Sequence, residues 1–250
     1  MSTVFDTNLA AVRTALASFV GCAPSAFLTE TLTVVDRPEP PVWPYVALAA
    51  TFGTGTVLSV DRDYLAFAET VLPKKHYHAT LPSFLGQIAE ESRRRGTNPP
   101  VSVPQLGWTL VTVPDAPLVP AGLVLRVVDA EWMAEEMQQR RFENGVGLPG
   151  EGGREFRNKY GVALFDRDGA PAAVAGTFLT YADPIREIGV DVANAHRGRG
   201  LGRVVVAAAV REILERGEVP MYGCAPTNIR SQRTALSTGF LPAFSDAAVG

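Results

Sequence analysis

The segment from residue 189 to residue 203, G-V-D-V-A-N-A-H-R-G-R-G-L-G-R, has the residue types and spacing of an anion-binding turn. A strand pattern ends in it, a helical pattern begins, and three glycines stand at alternate positions between them: Gly198, Gly200 and Gly202. The N-terminus of a helix offers backbone N–H groups without intrahelical acceptors, together with the positive end of the helix dipole. Glycines let a phosphate approach such a backbone closely. The segment therefore suits a pyrophosphate group, and three arginines add positive charge to it: Arg197, Arg199 and Arg203.

Two well-known phosphate-binding loops differ from this segment. The pattern G-x-x-x-x-G-K-[ST] does not occur, and the dinucleotide pattern G-x-G-x-x-G fails because its third glycine position holds Arg203. The turn also comes late in the chain, after a series of strands, rather than after the first strand of a βαβ unit. Taken alone, the residues leave open a second interpretation, an ordinary glycine-rich turn with solvated arginines.

A second segment, N-I-R-S-Q-R-T-A-L-S-T-G-F, lies downstream at residues 228–240. Together the two segments resemble the GNAT superfamily of acyl-CoA-dependent N-acyltransferases, in the branch of predicted acetyltransferases with an extra N-terminal domain. The family's cofactor loop, [R/Q]-x-x-G-x-[G/A], and the apolar strand end before it are matched by Arg197, Gly200, Gly202, Val190 and Val192. The family's second motif, N-x-x-[S/A] followed by G-F, is matched by Asn228, Ser231, Gly239 and Phe240.

The resemblance implies an N-acetyltransferase that moves an acetyl group from acetyl-CoA, its cosubstrate, to a primary amine by direct attack in a ternary complex. It implies that the strand ending at Val192 splays from the strand at 219–224, so that the pantetheine arm pairs with the exposed backbone like an added strand. A backbone N–H of the splayed strand would hold the thioester oxygen as negative charge develops. The residues that would bind the cosubstrate are Val190, Val192, Arg197, Gly198, Arg199, Gly200, Leu201, Gly202, Arg203, Asn228 and Ser231.

The attacking amine must lose a proton, so a base is expected at the site. The period of two along a strand places Glu187, Gly189 and Asp191 on one face and the apolar residues between them on the other. Glu187 stands where many members of the family carry a base, so it is the first candidate, and Asp191 is the second. The alternative for Glu187 is a surface ion pair with Arg186 or Arg167.

One position departs from the family pattern. Many members carry a tyrosine seven residues after the motif asparagine, as the general acid for the leaving thiolate, whereas this chain has Ala235. Tyr222, Tyr181 or water could take that role, or no acid is needed, because a thiolate is a tolerable leaving group. The departure keeps a second function open, that of a catalytically weak acyl-CoA-binding regulatory or scaffold protein.

The pattern of elements predicts an α+β (mixed α/β) fold with a central, mostly antiparallel sheet flanked by helices. A proline cluster before Gly122 predicts a boundary between a smaller α/β domain at 1–118 and a GNAT-like domain at 119–250. Helices are predicted at 9–20, 63–71, 81–95, 130–142, 201–216 and 229–237. Strands are predicted at 31–35, 46–52, 56–60, 123–128, 161–165, 172–181, 185–192 and 219–224. Asp6 or Thr7 is predicted to cap the first helix, and a glycine-rich loop is predicted at 144–153.

The composition of the chain argues against some classes of binding partner. The 250 residues carry a formal net charge of −3, so no overall basic field attracts nucleic acid or an anionic membrane. Two distant cysteines make neither a disulfide framework nor a metal cluster, and no signal peptide or membrane-spanning run is recognised, so a cytoplasmic location is expected. The expected partner is a small-molecule or peptide amine, and the family also suggests a homodimer.

Overall fold

The computed structural model describes residues 3–39, 45–147 and 160–250, which divide into two compact units. The C-terminal unit comprises Met1–Val12, Trp108–Gly223 and Ile229–Leu241. The N-terminal unit comprises Arg13–Gly107, Cys224–Asn228 and Pro242–Gly250. The units follow packing rather than one point in the sequence, and the boundary between residues 118 and 119 stays a prediction.

The C-terminal unit contains the elements around the segment at 189–203. Its helices are α4 (Ala130–Gln139), α5 (Glu143–Val146), α6 (Leu201–Glu215) and α7 (Ile229–Ser237). Its strands are the part of β4 (Gln105–Leu110) from Trp108 onwards, β5 (Val124–Asp129), β6 (Tyr160–Phe165), β7 (Pro171–Phe178), β8 (Ile185–Val192) and all but the last residue of β9 (Val219–Cys224). They lie in the order β4–β9–β8–β7–β6–β5, antiparallel from β5 to β8 and parallel between β8 and β9. The predicted α+β fold with a mostly antiparallel sheet is therefore confirmed.

Local sequence accounts for the connections in this sheet. The D-R-D-G stretch joins β6 to β7, with the Asp166 side chain accepting from the amides of Asp168 and Ala170 and with Gly169 at a φ of 82°. A φ in this region suits glycine, which has no Cβ to clash. Gly217, at a φ of 71°, likewise ends α6 as predicted.

Helices cover both faces of the sheet. An ideal Cβ on Gly202, in the first turn of α6, would lie 3.6 Å from Cγ2 of Val192 and 3.9 Å from Cγ2 of Val190, so α6 covers the apolar face of β8. The other face carries α5, whose Asn144 is hydrogen-bonded to Asp191 of β8. The predicted alternation of faces along β8 is thereby confirmed.

A row of glycines lets α5 lie directly on the sheet. Gly161, Gly176 and Gly189 are register partners across β6, β7 and β8. A Cβ on Gly176 would come closer than 3.0 Å to the carbonyl oxygen of Gly145, and a Cβ on Gly189 equally close to that of Asn144. Because the glycines in this row have no side chains, the backbone of α5 packs directly on β7 and β8.

The predicted helix at 130–142 was too long. α4 ends at Gln139 because Arg140 takes a left-handed conformation, with φ 52° and ψ 33°. The short α5 then occupies part of the predicted glycine-rich loop, and residues 148–153 of that loop lie outside the described residues. The sequence pattern missed this break because Arg140 is not a residue type that usually marks a helix end.

The N-terminal unit is an α/β unit built on four strands. Its elements are the part of α1 (Val4–Val20) after Val12, α2 (Leu65–Thr70), α3 (Pro82–Arg94), β1 (Leu32–Asp36), β2 (Ala47–Thr51), β3 (Thr56–Val60) and most of β10 (Phe240–Val249). The strands lie in the order β1–β3–β2–β10, with β1 and β3 parallel and the other pairs antiparallel. Strands β4 and β10 were not predicted. Within the described ranges, no helix has the length and apolar character needed to cross a membrane.

The predicted cap of the first helix was wrong in its position. α1 begins at Val4, and Thr3 and Asp6 cap it reciprocally: the Thr3 amide donates to Asp6 Oδ2 at 3.1 Å, and the Asp6 amide donates to Thr3 Oγ1 at 3.1 Å. This is the capping-box arrangement, with Asp6 in the third helical position instead of at the cap.

The glycine row generates a stability prediction. Gly176→Ala should lower the free energy of unfolding by about 1–3 kcal/mol, because the new methyl group overlaps α5 and Met133. The control is Gly86→Ala in α3, where a Cβ would meet nothing within 4 Å; alanine should raise helix stability there by roughly 0.5–1 kcal/mol. Urea unfolding followed by circular dichroism measures both, and a Gly176→Ala protein as stable as the wild type would contradict the close approach of α5.

Candidate functional site

The glycine turn between β8 and α6 has the conformation that its sequence predicts. Gly198 and Gly200 have φ values of 77° and 75°, where L side chains are strained, and Gly200 directly precedes α6. Gly202 differs, because its conformation is open to any residue and its Cβ position points towards Val190 and Val192. Two of the three glycines thus shape the turn, and the third keeps the space between the helix and β8 clear.

The turn presents donors and positive charge together. Among the described residues, the backbone amides of residues 198–202 have no hydrogen-bond acceptor, as expected for a turn that enters a helix. Arg197 donates from Nε to the carbonyl oxygen of Val192 at 3.2 Å, which ties the turn to the end of β8. Arg199 Nη1 lies 3.1 Å from Nδ1 of His196, and Arg203 is exposed on the first turn of α6. An anion on these amides would meet three guanidinium groups around it.

The hydrogen-bonded ladder between β8 and β9 ends halfway along β8. Register partners run from Ile185 and Val219 to Ile188 and Tyr222, and stop there. On its other side β8 pairs with β7 as far as Val192. Within the described residues, the second half of β8 therefore has an open edge facing β9, directly beside the glycine turn. Such an edge can pair with an extended ligand.

Glu187 lies at the point where the two strands part. Its side chain is partly buried, and the Thr180 hydroxyl donates to its Oε2. A Cβ on Gly223 would come closer than 3.0 Å to Oε1 of Glu187, so the carboxylate lies over β9 one residue beyond the last register pair. The first candidate base thus stands at the mouth of the open edge, on the face opposite α6.

Asp191 has hydrogen-bond donors on both carboxylate oxygens. Its Oδ2 accepts from the amides of Asn144 and Gly145 at 2.7 and 3.2 Å, and Oδ1 accepts from Nδ2 of Asn144 at 3.1 Å. These bonds fasten the first turn of α5 to β8. The second candidate base therefore has a structural task, whereas the sequence alone gave it only a catalytic one.

The Arg186 side chain ion-pairs away from the candidate base. It is 1% exposed, and its Nη2 lies 2.6 Å from Asp183 and 2.5 Å from Glu218. Burial alone would lower the pKa of Arg186, but these two carboxylates outweigh burial and raise it. Glu218 also accepts from the Tyr160 hydroxyl at 2.5 Å, and the guanidinium of Arg216 covers the Tyr160 ring at 3.9 Å. This cluster anchors the starts of β8 and β9, where they do pair.

The second sequence motif lies around α7. Asn228 directly precedes the helix, and Ser231 Oγ lies 2.8 Å from the hydroxyl of Tyr222, which is buried. Ala235, at the position where the family often has tyrosine, is also fully buried. The tyrosine that the sequence offered as a substitute thus contacts the serine of the motif.

Sequence reasoning missed four contributors to this region: Thr180, Gly223, Asn144 and the buried pair of Glu218 with Tyr160. Thr180 lies in the connection between β7 and β8, and Asn144 lies in the short α5 within the predicted glycine-rich loop; their residue types are common in loops, so the sequence carries no signal for either. Gly223 interrupts an apolar strand pattern, and an isolated glycine in a strand often marks close approach by another group. That signal was available and pointed to the correct strand.

One family model and several proteins of known structure are similar to this chain. The family model of the GNAT acetyltransferase matches residues 151–244. A Drosophila protein of known structure aligns over 99% of this chain and 89% of its own length, with 16% identity and a TM-score of 0.51, and so shares the fold. A GNAT-family protein from Novosphingobium aromaticivorans aligns at 24% identity over 61% of this chain and 68% of its own, with a TM-score of 0.46. A GCN5-related N-acetyltransferase-like protein from Streptococcus suis aligns at 16% identity over 78% of each chain, with a TM-score of 0.49. No curated protein matches the chain.

The contacts of Asp191 predict a local effect of its removal. Asp191→Ala should speed hydrogen exchange at the amides of Asn144 and Gly145, and lower the free energy of unfolding by about 0.5–2 kcal/mol, as for loss of a helix cap. Asp129→Ala is the matched control, because Asp129 caps α4 through the Trp132 amide at 2.9 Å. The control substitution should lower the free energy of unfolding by a similar amount and leave the hydrogen-exchange rate of the Asn144 amide unchanged. If that rate is the same in the wild type and in Asp191→Ala, Asp191 does not hold α5 on β8.

The Tyr160 hydroxyl predicts a pH effect on stability. Burial, followed by its hydrogen bond to Glu218, raises the pKa of Tyr160 above its ordinary value of 10.0. The folded protein then keeps a proton that the unfolded chain releases, so this contribution to stability is present below about pH 10 and falls as the pH rises further. Tyr160→Phe should be less stable by about 1 kcal/mol at neutral pH, yet should lose less stability between about pH 8 and pH 11. Urea midpoints over that range measure it, and parallel declines in the two proteins would exclude the linkage.

Proposed function

Because residues 151–244 belong to the GNAT acetyltransferase family, we propose that this protein transfers the acetyl group of acetyl-CoA to a primary amine within a ternary complex. The observation that carries the proposal is the open edge of β8, which begins after Ile188 and leads to the glycine turn before α6. The open edge can pair with an extended chain, and the glycine turn can bind an anion. Edge and turn follow each other in the same order as the pantetheine and the pyrophosphate of coenzyme A.

The binding roles follow from the groups on each segment. The amides of residues 198–202, with Arg197, Arg199 and Arg203, would hold the pyrophosphate, since aligned N–H groups at a helix N-terminus stabilise an anion. The backbone of β8 from Gly189 to Val192 would pair with the pantetheine amides. Asn228 and Ser231, at the start of α7, would line the same side as Tyr222. Leu201 is buried and would act through packing of the helix start.

Glu187 would act as the base. Its carboxylate lies at the mouth of the open edge, where the thioester end of an extended pantetheine would arrive. The amine nitrogen forms a bond to the thioester carbon, the carbon–sulfur bond breaks, and the proton lost by nitrogen passes to Glu187 directly or through one water. The thiolate leaves with the electron pair of the broken bond. A backbone N–H of β8 beside the site can stabilise the oxygen as it gains charge.

Protonation of the thiolate would not need a residue at position 235. A thiolate with a pKa near 8.5 leaves readily and can take its proton from water. Tyr222 is a second source, since its hydroxyl lies at the end of the β8–β9 ladder in contact with Ser231. We therefore keep an active transferase as the proposal, with a small-molecule or peptide amine as acceptor and a homodimer as the expected assembly.

The buried alanine at position 235 favours a second candidate, an acyl-CoA-binding regulatory or scaffold protein with weak catalysis. The two candidates share the binding site and differ in turnover. A binding measurement therefore tests what they share, and a turnover measurement separates them.

Acetyl-CoA binding is the first test of the proposed function. Calorimetric titration should give a micromolar Kd, roughly −8 kcal/mol, for the wild type. Gly202→Glu should weaken binding by about 100-fold or more, because it places a carboxylate between α6 and β8 beside the pyrophosphate position. Gly202→Ala is the control, since its Cβ makes only ordinary contacts, and it should bind within about threefold of the wild type. Wild-type protein that does not bind acetyl-CoA would exclude both candidate functions.

Loss of turnover in Glu187→Gln is the second test of the proposed function. With an amine found by screening for free CoA release, this variant should keep its affinity for acetyl-CoA and lose about 100-fold or more in kcat, the usual contribution of a general base. Asp191→Asn should lose much less in kcat, because Asp191 acts on α5. An unchanged kcat in Glu187→Gln would exclude Glu187 as the base, and binding without turnover of any amine would favour the scaffold function.

A further inference from the structure

Two residues outside the family motifs determine where the carboxylate of Glu187 lies. Thr180, in the connection between β7 and β8, donates its hydroxyl to Oε2 of Glu187. Gly223, in β9, lies under Oε1. One oxygen is therefore held by a donor and the other occupies a space that a side chain at position 223 would fill.

The glycine at position 223 has no backbone reason to be glycine. Its φ lies outside the left-handed region, so any L residue could adopt the conformation. A Cβ there would overlap Oε1 and lie 3.1 Å from Cδ and 3.9 Å from Cγ of Glu187. The three nearest atoms belong to one flexible side chain, so alanine at this position would displace the carboxylate while β9 keeps its place.

The contact between Gly223 and Glu187 lies beside the open edge of β8, where the reaction is proposed to take place. Gly223 follows Tyr222, the last β9 residue with a register partner in β8, so the carboxylate rests where the open edge begins. A base must stand within hydrogen-bond distance of the proton that it removes, and a displacement of about 1 Å can cost about 100-fold in rate. A carboxylate that was free to turn would spend much of its time elsewhere.

We propose that Thr180 and Gly223 are positioning residues for Glu187: Thr180 fixes one carboxylate oxygen by hydrogen bonding, and Gly223 provides the space over β9 for the other. This inference rests on the proposed role of Glu187 as the base. It assigns a function in the reaction to two residues that lie outside the glycine turn.

The experiment uses Gly223→Ala, Thr180→Val, which removes the donor and keeps the shape, and Thr180→Ser, which keeps the donor. Gly223→Ala and Thr180→Val should lower kcat about 10- to 100-fold and leave the Kd for acetyl-CoA within about threefold of the wild type. Thr180→Ser should recover most of the wild-type kcat. Thr180→Val combined with Glu187→Gln should be no slower than Glu187→Gln alone, because Thr180 acts through that carboxylate.

Crystal structures of wild type and Gly223→Ala supply a readout that needs no amine. The carboxylate of Glu187 should move by about 1 Å or more while the backbone of β9 stays in place. A fixed carboxylate with a shifted β9, a double variant that multiplies the two losses, or a Thr180→Ser protein as slow as Thr180→Val would each overturn the positioning proposal. A fully active Glu187→Gln would instead exclude the base assignment, and the structural displacement would still report whether Gly223 provides the space.

Discussion

The partial pairing of β8 is the constraint on which the site depends. The strand pairs with β7 from Glu187 to Val192, but with β9 only as far as Ile188. Backbone N–H and C=O groups left unpaired inside a protein are costly, so an open edge persists only where the surrounding structure holds both strands. The Arg186 cluster does so at their paired ends, where a fully buried guanidinium joins carboxylates that flank both strands. Removing both carboxylates would leave the buried charge of Arg186 without compensation.

The two faces of β8 serve different purposes because different helices cover them. α6 packs on Val190 and Val192, so its N-terminus and the glycine turn arrive at the end of the open edge. On the other face the glycine row admits the backbone of α5, and Asp191 fastens that helix in place. The candidate anion site and the candidate base thus lie on opposite faces of β8 and meet at the same edge. The proposed transfer would need such an arrangement, because the amine must approach the thioester carbon while the rest of the acyl donor is held in place.

Much of the site's scaffold could be predicted from sequence because it depends on local pattern. The ranges of β8, β9 and α7 were predicted with their observed bounds, since each has a clear period and turn residues at its ends. What could not be predicted depends on register between distant segments. The sequence left open an ion pair of Glu187 with Arg186 or Arg167, yet the Arg186 side chain lies on the other face of the strand and pairs with Glu218. Strand β10 and the break after Gln139 were missed because neither has a strong local signal.

The difference between Glu187 and Asp191 illustrates how surroundings assign roles to identical groups. Both carboxylates lie on one face of one strand, four residues apart in sequence. Asp191 accepts from two backbone amides of α5, and the Asn144 amide loses this acceptor if Asp191 moves away, whereas the Gly145 amide also donates to the carbonyl oxygen of Phe142. Glu187 accepts from the Thr180 hydroxyl, which can rotate and accept in turn, so a proton can reach the Glu187 carboxylate without orphaning a backbone group. A base must gain and release a proton in every cycle, so these surroundings favour Glu187 over Asp191 as the candidate base.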